Sequence, residues 1–347
     1  MKLTVAILVE QNEPLAIEML DMVPLQAGQV LVKILYSGIC GKQIDEITGR
    51  QGPDKYIPHC MGHEGTATVV EIGPGVRHVK VNDTCVVHWR KGAGIDSAPP
   101  RFNLNGKTIS AGWCNTFADY MIVSENRLTP IRNDVDMSSV ALMGCAVTTG
   151  LGIVFNNASV LPGQSIVIFG IGGVGLNVLQ GAILVNAYPI VAVDVNDTKI
   201  EMAKHFGATH AFNSASERDI KAKLLEISGP HGYDVSVDIV GASSVRVLAY
   251  DVTKKTGKTI FAGVPHHQDP VSLHTYPIHM GRQVIGSSGG DTDPQVDIPR
   301  YVDLYARNKL NLDDQVTHHF GLEKINEAIS IVQSGHCGRV VLDLGHA

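Results

Sequence analysis

The chain has 347 residues, which at roughly 150 residues per domain predicts two domains. Hydrophobic residues make up 44% and charged residues 18%, an ordinary globular balance that excludes the disordered and fibrous classes. A formal net charge of −6 without a basic tract, and only 5% aromatic residues, argue against a nucleic-acid partner.

In chain order, residues 5–9 form a short apolar run without a small-residue cleavage site, which reads as a first strand and not as a signal peptide. Residues 31–36, 67–72 and 84–88 read as further strands, so the first part of the chain is β-rich. Residues 90–112 are polar and rich in Gly, Pro and Asn, and are expected to be a long loop. Residues 137–193 carry no charge, which raises a membrane span. Pro162, the glycines at 170, 172, 173 and 175, and Asn156, Asn157 and Gln164 cut that stretch below spanning length. A soluble, cytoplasmic protein with no membrane partner is therefore expected. The six cysteines agree: they are widely spaced, contain no C-x-x-C pair, and suit a reducing compartment.

From residue 165 the pattern changes. Apolar runs at 165–169, 189–193, 235–240 and 259–263 read as strands, and 174–185 and 198–206 read as helices, the latter capped by Gly207. Strands alternating with helices predict a parallel sheet with right-handed crossovers.

Gly170, Gly172, Gly173, Val174 and Gly175 belong to a G-x-G-x-x-G string between the first of these strands and its helix. Gly170 permits a tight turn, Gly172 lets backbone approach a pyrophosphate, and Gly175 lets helix and sheet pack closely. The helix N-terminus supplies free N–H groups for phosphates. Asp194 ends the next strand, 24 positions after Gly170. A carboxylate there accepts from ribose hydroxyls and repels a 2′-phosphate, which favours NAD over NADP.

Three stretches of the chain carry potential metal ligands: Cys40 before Gly41, His63 with Glu64 between Gly62 and Gly65, and Cys145 after Gly144. Two thiolates and an imidazole suit a catalytic zinc with an open fourth position. The spacing alone leaves the ordinary alternative open, buried thiols and a surface His.

Taken in order, Cys40, the Gly62, His63, Glu64, Gly65 stretch, Cys145, the glycine turn and Asp194 resemble the zinc-dependent medium-chain alcohol dehydrogenase family over essentially the whole chain. The resemblance extends to Gly263, Val264 and Pro265 and to a closing helix followed by Arg339. It implies an α/β fold in which a doubly wound, parallel Rossmann nucleotide domain (residues 148–287) is inserted in a discontinuous, partly open, GroES-like β-barrel (1–147 and 288–347). It implies Cys40, His63 and Cys145 as zinc ligands, with Glu64 as their acidic neighbour or a transient fourth ligand. It also implies Thr149 at the nicotinamide, Lys199 at the adenosine ribose, Val264 at the carboxamide, and Arg339 near the pyrophosphate.

Two departures from the family pattern matter. Where members carry a proton-relaying hydroxyl followed by Asp, this chain has Lys42 and Gln43. Lys42 is open to three readings: a proton acceptor, a binder of an anionic substrate group, or a solvent-facing lysine. Asp45 stands where a family histidine ends the relay. Residues 90–112 also lack the four cysteines of a structural zinc lobe, which predicts one zinc per chain. Trp89 falls near a pocket-lining aromatic position, with a strand residue as the alternative.

The implied activity is zinc-dependent hydride transfer between NAD and a small-molecule alcohol, with a secondary alcohol, polyol or sugar derivative as substrate. Two rival readings stay open at this point: an enzyme using bound NAD transiently, as in epimerisation or elimination, and a non-catalytic NAD-binding protein. The family habit predicts a homodimer or homotetramer.

Overall fold

The computed structural model describes residues 1–345. The chain divides into two units: Met1–Cys145 with the segment from Asp293 onward, and Ala146–Thr292. These boundaries fall a few residues from the expected 147/148 and 287/288, and packing is the reason. The helix Ala146–Gly152 lies against the helix Gly173–Leu184 and the turn Gly289–Asp291. Contact there is close enough that a Cβ on Gly152 would fall 2.3 Å from the carbonyl of Gly290.

The second unit holds a six-stranded parallel sheet. Its order is His210–Asn213, Ile190–Asp194, Ile166–Phe169, Tyr233–Asp238, Thr253–Phe261, Gln283–Gly286. Numbered along the chain this is 3-2-1-4-5-6, the doubly wound order of dinucleotide-binding sheets. The central strand Ile166–Phe169 is buried at every position because helices cover both faces. One core gathers Ile166, Ile168, Leu179 and Val237, and the other Val167, Phe169, Val191 and Tyr233. The chain order reverses between Ile166–Phe169 and its neighbour Tyr233–Asp238. A ligand crevice is expected at the carboxyl end of those two strands, where Gly170 follows.

The first unit carries two sheets. One has seven strands built around Gln29–Ile39, which pairs with Glu64–Ile72, Tyr120–Ser124 and Arg339–Asp343. Glu64–Ile72 pairs in turn with Thr84–His88, and that strand with Leu128–Pro130. The other has five strands and includes Lys2–Leu8 and Ala16–Asp21. Alternation of Val30, Val32 and Ile34 along Gln29–Ile39 sends those side chains into one core with Ala67, Val69 and Val340.

Residues 90–112 correct the sequence reading in part. They contain a hairpin, Arg101–Leu104 with Lys107–Ser110, closed by Asn105 and Gly106 at φ 53° and 83°. An Asn-Gly pair between apolar Phe102 and Ile109 is the ordinary signal for a two-residue hairpin turn. Among the described residues no single helix is long and apolar enough to cross a membrane.

Candidate metal centre and nucleotide turn

The metal candidates come from three separate segments of the first unit. Cys40 follows the strand Gln29–Ile39 and caps the helix Gly41–Ile47. His63 stands between Gly62 and the start of Glu64–Ile72. Gly62 has φ +99°, and a Cβ there would meet Thr116 Oγ1 at 2.5 Å and the Phe117 nitrogen at 2.6 Å. Only glycine allows this turn. Cys145 follows Gly144, whose Cβ would lie 2.2 Å from the Val87 carbonyl.

These turns bring one ligand atom each from Cys40, His63 and Cys145 within 4.8 Å of one another. Both cysteines are buried thiols. His63 Nε2 is sealed from solvent and has no hydrogen-bond partner. A hydrogen bond with Cys145 holds the Cys40 thiol well below its usual range against the opposing effect of burial, and His63 and Arg339 add to this. An orphaned imidazole nitrogen beside a thiol biased toward thiolate fits a soft divalent ion such as zinc.

Glu64 lies outside the three-ligand cluster. It is fully buried, and its carboxylate pairs with the guanidinium of Arg339. Gly38 makes room for it, since a Cβ there would sit 2.8 Å from Glu64 Oε1. Arg339, expected near a pyrophosphate, is 5% exposed and belongs to the first unit, so it is no surface arginine. Burial lowers its pKa, and the neighbouring Cys40 opposes that shift.

Gln43 is the residue whose role sequence reasoning missed. It is 1% exposed. Its Oε1 accepts the Cys40 N–H at 2.8 Å, and its Nε2 meets His63 Nδ1. The available signal was its spacing: a Gln three residues after a helix cap is the reciprocal half of a capping box. A metal at Nε2 requires the other ring nitrogen to carry the proton. The amide must then serve two donors, Cys40 N–H and His63 Nδ1–H, with one oxygen.

Lys42 and Asp45 lie on the same short helix. The Lys42 ammonium meets Gln51 Oε1 and stands 3.3 Å from Glu46. Asp45 is 3.6 Å from Arg50, and burial raises its pKa against the attraction of Arg50 and Lys42.

The nucleotide candidates, Arg339 apart, lie in the second unit. Gly170 has φ +94°. A Cβ on Gly175 would fall 1.9 Å from the Gly170 carbonyl, so the helix beginning at Gly173 approaches the turn as no other residue would permit. Asp194 ties the turn to the next strand: Oδ2 accepts from Ile171 N–H at 2.7 Å, and Oδ1 from Val195 N–H at 2.7 Å. Lys199 is in the first turn of the helix Asp197–His205. Thr149 is on Ala146–Gly152, and Val264, 47% exposed, follows Thr253–Phe261.

Three outcomes are expected. In metal-free protein at neutral pH, an alkylating reagent modifies Cys40 well before Cys60, Cys85 and Cys114, whose thiols burial pushes up to about 12; zinc suppresses the Cys40 reaction. Peptide mapping of the labelled protein reads this. Replacing Gln43 by Glu supplies a second acceptor oxygen and tightens cobalt or zinc binding, whereas Gln43→Ala weakens it about 10- to 100-fold in a competition titration. Arg339→Met leaves Glu64 charged and buried, costing about 3–5 kcal/mol in a urea melt of metal-free protein; adding Glu64→Leu restores much of that loss.

Two family models match the chain: an alcohol dehydrogenase GroES-like domain over residues 26–133, and a zinc-binding dehydrogenase over residues 173–307. The S-(hydroxymethyl)glutathione dehydrogenase of Synechocystis sp. is 32% identical, covering 99% of this chain and 100% of that protein. The enzyme of the same name from an Escherichia coli strain is also 32% identical with the same coverage. In fold, the chain matches benzyl alcohol dehydrogenase from Acinetobacter calcoaceticus with a TM-score of 0.90 at 24% identity, covering 99% of each chain. It matches 2R,3R-butanediol dehydrogenase from Bacillus subtilis with a TM-score of 0.80 at 23% identity, covering 98% of this chain and 99% of that one. With its thiol–imidazole–thiol cluster and doubly wound sheet, the chain belongs to the zinc-dependent medium-chain alcohol dehydrogenase family.

Proposed function

We propose that the chain oxidises a secondary alcohol, polyol or sugar derivative with NAD, using one zinc per chain. The observation that carries this is the meeting of Cys40, His63 and Cys145 within 4.8 Å. When bound, zinc supplies Lewis acidity at the substrate oxygen and NAD supplies the hydride acceptor.

The chain's own residues do the remaining work. Cys40, His63 and Cys145 would hold the ion, and a three-residue set of this kind would leave room for a substrate hydroxyl. The hydroxyl proton leaves by way of Lys42, Asp45 or water. Asp45 favours its own part in this, because burial raises its carboxyl toward the range of a useful base. Arg339 cancels the charge of Glu64, so that carboxylate adds little repulsion to developing negative charge. The glycine turn and helix N-terminus receive the pyrophosphate, and Asp194 excludes a 2′-phosphate. Thr149, Lys199 and Val264 complete the cofactor contacts.

A single zinc is supported by the thiols flanking the 90–112 segment. Cys85 and Cys114 are both pushed up to about 12 by burial, as inert core thiols are. Six free thiols support a reducing, cytoplasmic location. Among the described residues the strand Gln283–Gly286 ends its sheet with one side unpaired, which supports a homodimer or homotetramer through sheet pairing.

The test is zinc content with NADH production, on wild type and Cys40→Ala. The panel holds polyols, sugars, simple alcohols and S-(hydroxymethyl)glutathione. About one zinc per chain is expected, lost together with turnover in the variant. Zinc without turnover on any alcohol would overturn the proposed reaction, and no zinc would overturn the ligand set.

A further inference from the structure

Three neighbouring strands of the parallel sheet end level with one another: Phe169 pairs with Asp238, and Asp238 with Phe261. Here the strand order reverses, which is where a doubly wound sheet takes its ligand. Asp238 is 0% exposed, a rare place for a carboxylate unless it is paired. It belongs to neither the glycine turn nor the metal cluster.

Its side-chain bonds run to the loops beyond the strand ends. Oδ1 accepts from the Val240 and Gly241 N–H groups, each at 2.9 Å. Oδ2 accepts from Arg246 Nε at 3.3 Å. The same guanidinium lies 5.1 Å from the Phe261 ring centroid, and its Nη2 donates to the Gly263 carbonyl at 2.7 Å. The Asp238 carbonyl accepts from the Ala262 and Gly263 N–H groups, each at 2.9 Å. One buried ion pair thus fastens the loop after Tyr233–Asp238 to the loop after Thr253–Phe261. Asp269 adds a second tie between them, accepting from the Ser243 N–H at 2.9 Å.

The fastened loops leave no slack. A Cβ on Gly263 would fall 2.3 Å from the Gly241 nitrogen, and one on Gly241 2.4 Å from the Val264 carbonyl oxygen. Val240 rests against the nucleotide turn, where a Cβ on Gly170 would meet Val240 Cγ2 at 2.9 Å. Burial raises the Asp238 pKa, while the two N–H groups and Arg246 oppose that shift. A buried ion pair adds little stability over a well-packed apolar pair of the same size. Its geometric effect remains: it fixes main-chain groups beside the crevice. Backbone N–H and C=O groups held there match a primary carboxamide, which offers one acceptor and two donors.

We propose that Asp238 and Arg246 are positioning residues that hold the backbone around Gly241 and Val264 against the carboxamide of the nicotinamide ring. This rests on the NAD reading above and goes beyond it by dividing the cofactor between two devices. The glycine turn and Asp194 serve the adenosine and pyrophosphate half, and the ion pair serves the nicotinamide half.

Calorimetric titration of zinc-loaded protein with NADH, and with ADP-ribose, which lacks the nicotinamide, tests this division. Arg246→Met keeps an apolar stem against Phe261 and loses both hydrogen bonds. It is expected to weaken NADH binding about tenfold and to leave ADP-ribose within about twofold of wild type. Should that variant lose its cooperative melt, Asp238→Asn combined with Arg246→Met leaves no unpaired charge at the site and is expected to show the same split. A variant that folds and weakens both ligands alike, or neither, overturns the positioning role and leaves the NAD reading standing. Wild type that binds neither ligand overturns both.

Discussion

Two thiols and an imidazole nitrogen are held within 4.8 Å of one another and away from water. With His63 Nε2 buried and unpartnered, such a cluster is costly to bury unless a divalent ion completes it. The rest of the first unit answers that constraint. Gly62 and Gly144 approach the Thr116–Phe117 segment and the Val87 carbonyl more closely than any side chain allows, and so aim His63 and Cys145 inward. Arg339 lies close enough to Cys40 and Glu64 to bias the first toward thiolate and neutralise the second. Gln43 holds the backbone of one ligand and the ring of another.

The second unit solves a separate problem with the same device. A doubly wound sheet presents a crevice where its strand order reverses, and the turn after Ile166–Phe169 must leave room for backbone to meet an anion. Gly175 and Gly170 touch at a distance no Cβ would tolerate. Asp194 binds the Ile171 N–H and so fixes the turn before any cofactor arrives. The same carboxylate is therefore both a structural clasp and the acid expected at the ribose.

What could be read from sequence was what local chemistry dictates. Continuous apolar runs gave the parallel strands, and glycine spacing gave the turn at Gly170. The ligand trio came through resemblance, since its members are scattered and their spacing carries no local signature. The hairpin at Asn105 and Gly106 carries its own local signal, the Asn-Gly pair, but the polar residues around it resemble a loop. The pairing of Glu64 with Arg339 spans 275 positions, and nothing near either residue announces it. Gln43 looked like a defect against the family pattern. Its function shows only when Cys40 N–H and His63 Nδ1 are seen to converge on one amide.

That substitution alters the electrostatics of the centre. An acid in place of Gln43 would add a negative charge beside the two thiolates. The amide does not, so two thiolates and a divalent ion leave a neutral core. The charges around it also close in pairs: Glu64 with Arg339, Glu46 with Lys42, and Asp45 with Arg50. A site so balanced exerts little field on an approaching anion. Any preference for a charged substrate must then come from a cation outside these pairs.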